Sequence, residues 1–173
     1  MTTQNSSLAT LDHLCGESNC TINQICTELA KVFRVKTDEV AVLKLHGNTL
    51  RFLCPTQLRG AGSIPLSSSA IAAKTATQRP MISNEFIGVR HLAIFEAVPA
   101  REENDGTNQG TQPIQKIMSA PIVAEQGLVL GVVQISRKGA TPRSAGQDFT
   151  SADLTLLESA CAIMAPAISR FDE

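Results

Sequence analysis

Apolar residues return every three or four positions at Ile22, Ile25, Cys26, Leu29, Val32 and Phe33, one continuous stripe that predicts a helix from Thr21 to Phe33. A shorter repeat of Leu8, Leu11 and Leu14 predicts a helix over 6–15, ended by Gly16. The period then falls to two. Val40 and Val42, then Leu50 and Phe52, alternate with their neighbours and predict strands over 39–45 and 49–54, joined as a hairpin through His46, Gly47 and Asn48. Beyond Ile64, Pro65 and Leu66, the serines Ser67, Ser68 and Ser69 lead into a helix over 70–78, followed by a short extended piece over 80–82. Two β-rich runs, 117–125 and 128–137, meet at Gln126 and Gly127, a hairpin connection. The last element is a helix capped by Thr150 or Ser151. Leu157, Ala160, Cys161, Met164, Ile168 and Phe171 keep helical spacing along it for nearly five turns, and Pro166 is expected to kink it or end its regular part.

Between Asn84 and Gln112 this patterning fails. Residues 83–98 mix Phe86, Ile87, Leu92, Ile94 and Phe95 with Arg90 and His91, which suits a short helix or lid over the sheet. Residues 101–112 are too polar to bury and read as a mobile surface loop, placed to gate a pocket beside it. The elements together describe an α+β chain without internal repeats, and 173 residues suit one compact domain.

Charge narrows the partners. Fifteen Lys and Arg stand against 16 Asp and Glu without a block of like charge, so neither nucleic acid nor a membrane surface is expected to hold the chain electrostatically. The N-terminus has no basic stretch followed by an apolar one, and no uninterrupted apolar run approaches the ~20 residues that span a bilayer, so a cytoplasmic location is expected. Five cysteines cannot all pair within one chain, which fits a reducing compartment. Cys26 and Cys161 fall on apolar helix faces, where a thiol packs as a small hydrophobe. Cys15 and Cys20 flank the break at 16–19 with His13 nearby, too few ligands at too loose a spacing for a structural zinc, so no metal is expected. With six Phe and no Trp or Tyr, there is little aromatic surface on which to stack bases.

Two places carry candidate binding chemistry. Ser67, Ser68 and Ser69 precede a helix whose exposed N–H groups and dipole favour an anion, although they also serve as plain caps. Arg90 and His91 place a cation beside a titratable imidazole, suited to an anionic or hydrogen-bonding ligand.

The order of these pieces resembles GAF domains, a family of small-molecule sensor modules. The carriers are the 21–33 helix, the segment Ile64 to Ala72, Arg79 to Ile82, Ser119 to Val123, Gly131 to Ile135, and the Phe149-x-x-x-Asp153 start of the final helix. The resemblance implies a GAF-like (PAS-related) α+β fold with a central antiparallel sheet of five to six strands. N- and C-terminal helices would pack on one face, with a lid and pocket on the other. It divides the chain into an N-terminal helical extension over 1–20 and the domain over 21–173, with a flexible loop near 100–113. It implies a homodimer that binds an unidentified small molecule through Ser67, Ser68, Ser69, Arg90, His91 and Gln134, and that signals through its dimer helices or to a separate output protein. Lys138, Phe149 and Asp153 are the structural motif, with a Lys138–Asp153 ion pair expected.

Members that bind cyclic nucleotides carry an Asn-Lys pair and a Phe-x-x-x-Asp-Glu sequence. Here Arg137 replaces the Asn and Leu154 the Glu, which puts that ligand in doubt. No Cys-His pair is present for a covalent bilin. Some GAF-like proteins reduce free methionine sulfoxide with cysteines, but residues 55–160 contain none, and neither a nucleophile elbow nor a phosphate loop occurs. No enzymatic activity and no catalytic residue are therefore expected; the first alternative to sensing is a ligand-free dimerisation or protein-interaction module, and the second a thiol-dependent reductase of the methionine sulfoxide type.

Overall fold

A computed structural model describes residues 3–60, 62–77, 79–86 and 112–171. Helix α1 (Thr3–Gly16) runs longer than its leucine repeat predicts. Helix α2 (Ile22–Phe33) begins behind Thr21, whose side chain accepts from the Gln24 N–H while the Gln24 side chain accepts from the Thr21 N–H. Arg34, in the left-handed region, ends it. Strands β1 (Val40–His46), β2 (Thr49–Cys54) and β3 (Ser63–Pro65) follow, then helix α3 (Ile71–Thr77) and strand β4 (Met81–Ser83). Strands β5 (Ile114–Val123) and β6 (Val129–Lys138) form the long hairpin, and helix α4 (Ser151–Ile168) closes the fold. The β5–β6 turn closes through Gly127, whose φ of 79° favours a residue without a side chain.

The six strands pair antiparallel throughout, in the order β3-β2-β1-β6-β5-β4. The sheet is therefore the α+β arrangement expected, with helices on one face. On that face α1, α2 and α4 bury Leu11, Ile25, Leu29, Leu157, Cys161 and Met164 against Val40, Val42, Met118, Ala120, Val133 and Ile135. On the other face Ala41, Leu43, Leu50, Phe52, Ile117 and Val132 meet Ala72 and Ala73 of α3, together with Leu58 and Ile64. Central strands read as unbroken apolar runs because both faces of the sheet are covered.

Helix α1 contributes Leu11, fully buried, to the same core as α2 and α4. By length and composition α4 is apolar enough to cross a membrane, with a mean hydropathy of 1.3 over its 18 residues, although its apolar side is packed on this sheet. Pro166 lies inside α4, which stops two residues later at Ile168, and Phe171 stays buried beyond the helix. Two cations tie down this end. Lys44 Nζ donates to the Phe171 carbonyl at 2.7 Å, and Arg170 Nη2 donates to the Cys15 carbonyl at 2.6 Å.

Candidate functional site

The α3 face of the sheet carries polar groups in its middle. Opposite residues of an antiparallel pair project to the same side, and Gln134 of β6 lies opposite Ser119 of β5 and Ala41 of β1, while Ser119 lies opposite Met81 of β4. Alternation along β6 places Val132 and Ser136 on this side as well. The Thr75 hydroxyl of α3 stands 2.8 Å from that of Ser119 and 2.8 Å from the Ile71 carbonyl. Ser119 therefore donates to Thr75, which donates to the carbonyl, and the pair pins α3 to the sheet. Ser136 donates to the Glu39 carbonyl at 3.3 Å, and the Glu39 carboxylate accepts from the Lys36 and Lys138 N–H groups, each at 2.7 Å. Gln134 lies among these polar groups and is 4% exposed.

The other expected ligand residues stand elsewhere. Ser68 accepts from the Ala70 N–H at 3.4 Å and donates its own N–H to the Pro65 carbonyl at 3.0 Å, a turn leading into α3, while Ser67 and Ser69 are exposed. The helix behind them has only seven residues, so its dipole is short. No hydrogen bond joins these serines to Gln134. Arg90 and His91 lie outside the described residues, as do most of the expected lid over 83–98 and of the loop near 100–113.

Phe149 anchors the start of α4. Its ring is buried in the helical-face core, and its backbone N–H and carbonyl are both taken by the Asn84 side-chain amide, at 2.8 and 3.0 Å. The Arg137 guanidinium lies 4.8 Å from the ring centroid, and its Nε is buried with no hydrogen-bond partner. Lys116, beside Arg137 across the β5–β6 ladder, donates to the Gly146 carbonyl at 2.6 Å and pairs with Asp148 at 2.7 Å. Asp153 forms a capping box with Thr150: each side chain accepts from the other's backbone N–H.

The expected Lys138–Asp153 ion pair is corrected here: Lys138 Nζ lies 3.7 Å from the Asp38 carboxylate and donates to its carbonyl at 2.9 Å. Strand alternation supplies the reason, since Arg137 takes the helix side of β6 and so sends Lys138 to the opposite side. Asn84 and the Lys116–Asp148 pair were not foreseen, because a lone Asn or Lys carries no periodic signal. Asn84→Ala is expected to cost about 2 kcal/mol by orphaning two backbone groups at Phe149. Urea denaturation measures this.

All five cysteines are free thiols. Cys26 and Cys161 are buried in the helical-face core, with Cys15 and Cys54 beside them. The Cys26 thiol is pushed up by its hydrogen bond with Cys54 and then by burial. Burial pushes Cys161 and Cys20 up too, and raises Cys15 from 9.0 to about 11. Above pH 9 the unfolded chain releases thiol protons that the folded chain retains, so stability falls as pH rises from 9 toward 11. Thermal unfolding followed across that window is expected to show a falling midpoint, reduced in Cys15→Ala.

A six-stranded antiparallel sheet with helices sealing one face and a short helix over polar groups on the other defines a GAF-like α+β domain. The sequence matches the GAF domain family over residues 18–168, and the chain belongs to that family. No curated protein is matched by sequence. Among solved structures, the GAF domain of an Acinetobacter phosphoenolpyruvate-protein phosphotransferase is similar in fold, with a TM-score of 0.67 and 14% identity over 98% of this chain and 94% of that one. The reduced free methionine-R-sulfoxide reductase of Staphylococcus aureus gives 0.56 and 15% over 97% and 96%. The type II free methionine-R-sulfoxide reductase of Thermoplasma acidophilum gives 0.56 and 15% over 93% and 96%. The last two correct an expectation from the sequence. Enzymes share this fold, so the exclusion of an enzymatic role does not stand.

Proposed function

We propose that this GAF domain is a regulatory sensor that takes a small molecule on the α3 face of its sheet and passes the binding event to the helical layer of a homodimer. One observation carries the reading: the polar row of Ser119 and Gln134 is buried in the middle of that face, where a purely structural core is best filled by apolar groups. The route to the helices is short. Leu43 faces α3, while its neighbour Lys44 holds the carbonyl beyond α4. A ligand that favours one placement of β1 thus shifts the end of α4, and the signal goes to the paired subunit or to a separate output protein. Hydrogen exchange with and without ligand tests this coupling: altered protection within 145–170 supports it, and unchanged protection there contradicts it.

The homodimer is proposed from the outer side of α4. Ala152, Thr155, Ser159, Ala162 and Pro166 are exposed along it, uncharged and mostly small, and let a second helix approach closely. Ser159→Arg is expected to weaken self-association at least tenfold by sedimentation analysis while shifting the unfolding midpoint little.

A further inference from the structure

Cys15 and Cys20 stand on either side of the break between α1 and α2, away from the α3 face. Two backbone hydrogen bonds fold that break back on itself, from the Glu17 N–H to the Leu14 carbonyl at 3.1 Å and from the Cys20 N–H to the Glu17 carbonyl at 3.3 Å. Cys15 is buried in the helical-face core, and Cys20, the one cysteine of the five that is not buried, packs against the same core. The Cys20 thiol has only a weak hold, on the Thr21 carbonyl at 3.5 Å. A cation completes the group: Arg170 Nη2 donates to the Cys15 carbonyl at 2.6 Å. Burial raises both thiols, and Cys20 raises Cys15 further, while the Arg170 charge pulls both back down. Asp12 acts against Arg170 at Cys15, and Glu17, 3.5 Å from His13, does so at Cys20. Two thiols and a guanidinium thus meet at a partly open corner of the helical layer, the surroundings in which a thiolate forms and is oxidised.

We propose that Cys15 and Cys20 form a dithiol site that hydroperoxides oxidise to a disulfide. Cys20, the thiol a solute can reach, attacks a peroxide oxygen as its thiolate. The O–O bond breaks, the leaving oxygen departs as water or an alcohol, and Cys20 becomes a sulfenic acid. Cys15 then attacks the Cys20 sulfur: the S–S bond forms, the S–O bond breaks, and water leaves with the Cys15 proton. Two thiols lose two electrons, and the peroxide takes both. The bridge requires the Cys20 side chain to release the Thr21 carbonyl and turn toward Cys15 across a turn that is already closed. It ties the end of α1 to the start of α2 beneath Arg170, which follows α4, so an oxidant acts on the helical layer without passing through the α3 face.

The test treats the full chain with hydrogen peroxide, alkylates the remaining thiols after denaturation, and reads the peptides by mass spectrometry. A Cys15–Cys20 bridge, two hydrogens lighter than the dithiol and reversed by dithiothreitol, is expected while Cys26, Cys54 and Cys161 stay alkylated. Cys15→Ala is expected to leave Cys20 as a sulfenic acid that dimedone captures. Cys20→Ser, at a partly exposed position that tolerates the change, is expected to leave Cys15 reduced, because the attack begins at Cys20. Arg170→Gln keeps both thiols and removes the charge; it is expected to slow bridging by about threefold and to move the midpoint of its pH profile upward, since less Cys20 is thiolate at a given pH. An unchanged midpoint overturns the part given to Arg170, because a guanidinium that only props the Cys15 carbonyl would not move it. The site itself is overturned if Cys15 and Cys20 both remain alkylatable, if Cys15 oxidises as fast in Cys20→Ser as in the native chain, or if Cys20 oxidises without bridging to the same extent in the native chain and in Cys15→Ala.

Discussion

Phe149→Ala is expected to destabilise the domain by about 3–5 kcal/mol, the range for removing a buried aromatic ring. Three losses converge at this residue. The ring leaves a cavity in the core that joins α4 to the sheet. The Arg137 guanidinium loses the surface 4.8 Å away on which it rests, and its buried Nε has no other partner to take over. The two-point clamp from Asn84 then holds a backbone that its own side chain no longer anchors. Phe149→Leu, which retains most of the apolar volume, is expected to lose less than half as much. Urea denaturation of both variants checks the ordering, and a loss below about 1 kcal/mol for the Ala variant would contradict this account of the motif.

Gly131→Val is expected to cost about 3 kcal/mol, and to act through the backbone. Gly131 lies opposite Lys44 on one side and Ile122 on the other, at the centre of the sheet. A Cβ at this position would run into the carbonyl of Leu43, a backbone atom fixed by its own ladder. Glycine in the interior of a strand otherwise weakens it, so its use here reflects the close approach of β1. Relief requires β1 and β6 to separate, which is why the cost reaches the upper part of the range for overpacking. The same separation would disturb Gln134, three residues along β6, so ligand binding on the α3 face is expected to fall together with stability. Denaturation and amide exchange of β1 and β6 measure the effect.

Much of this fold is legible in the sequence, for physical reasons that differ between elements. Helix α2 announces itself through a stripe of six apolar positions, and the structure adds the Thr21–Gln24 capping box that starts it. The β5–β6 hairpin is legible through Gly127, whose positive φ the turn requires. Boundaries shift by a few residues where the signal is graded: α1 begins at Thr3 rather than Ser6, and α3 spans Ile71–Thr77 rather than 70–78. The site was less readable. Gln134 belongs to the segment Gly131 to Ile135, but its place beside Ser119 and Ala41 on the α3 face follows from the strand register, which spacing alone does not give. Lys138 was matched with the wrong carboxylate because one strand step decides which face a side chain meets. The enzymatic question lay outside the reach of motif spacing altogether, since reductases and sensors share this fold at about 15% identity.

The central claim is that a small molecule occupies the α3 face, and native mass spectrometry of gently purified protein tests it most directly. The account predicts a dimer carrying one discrete added mass per subunit, lost or diminished in Gln134→Met. A spectrum of bare polypeptide at every charge state, unchanged by the substitution, would contradict it.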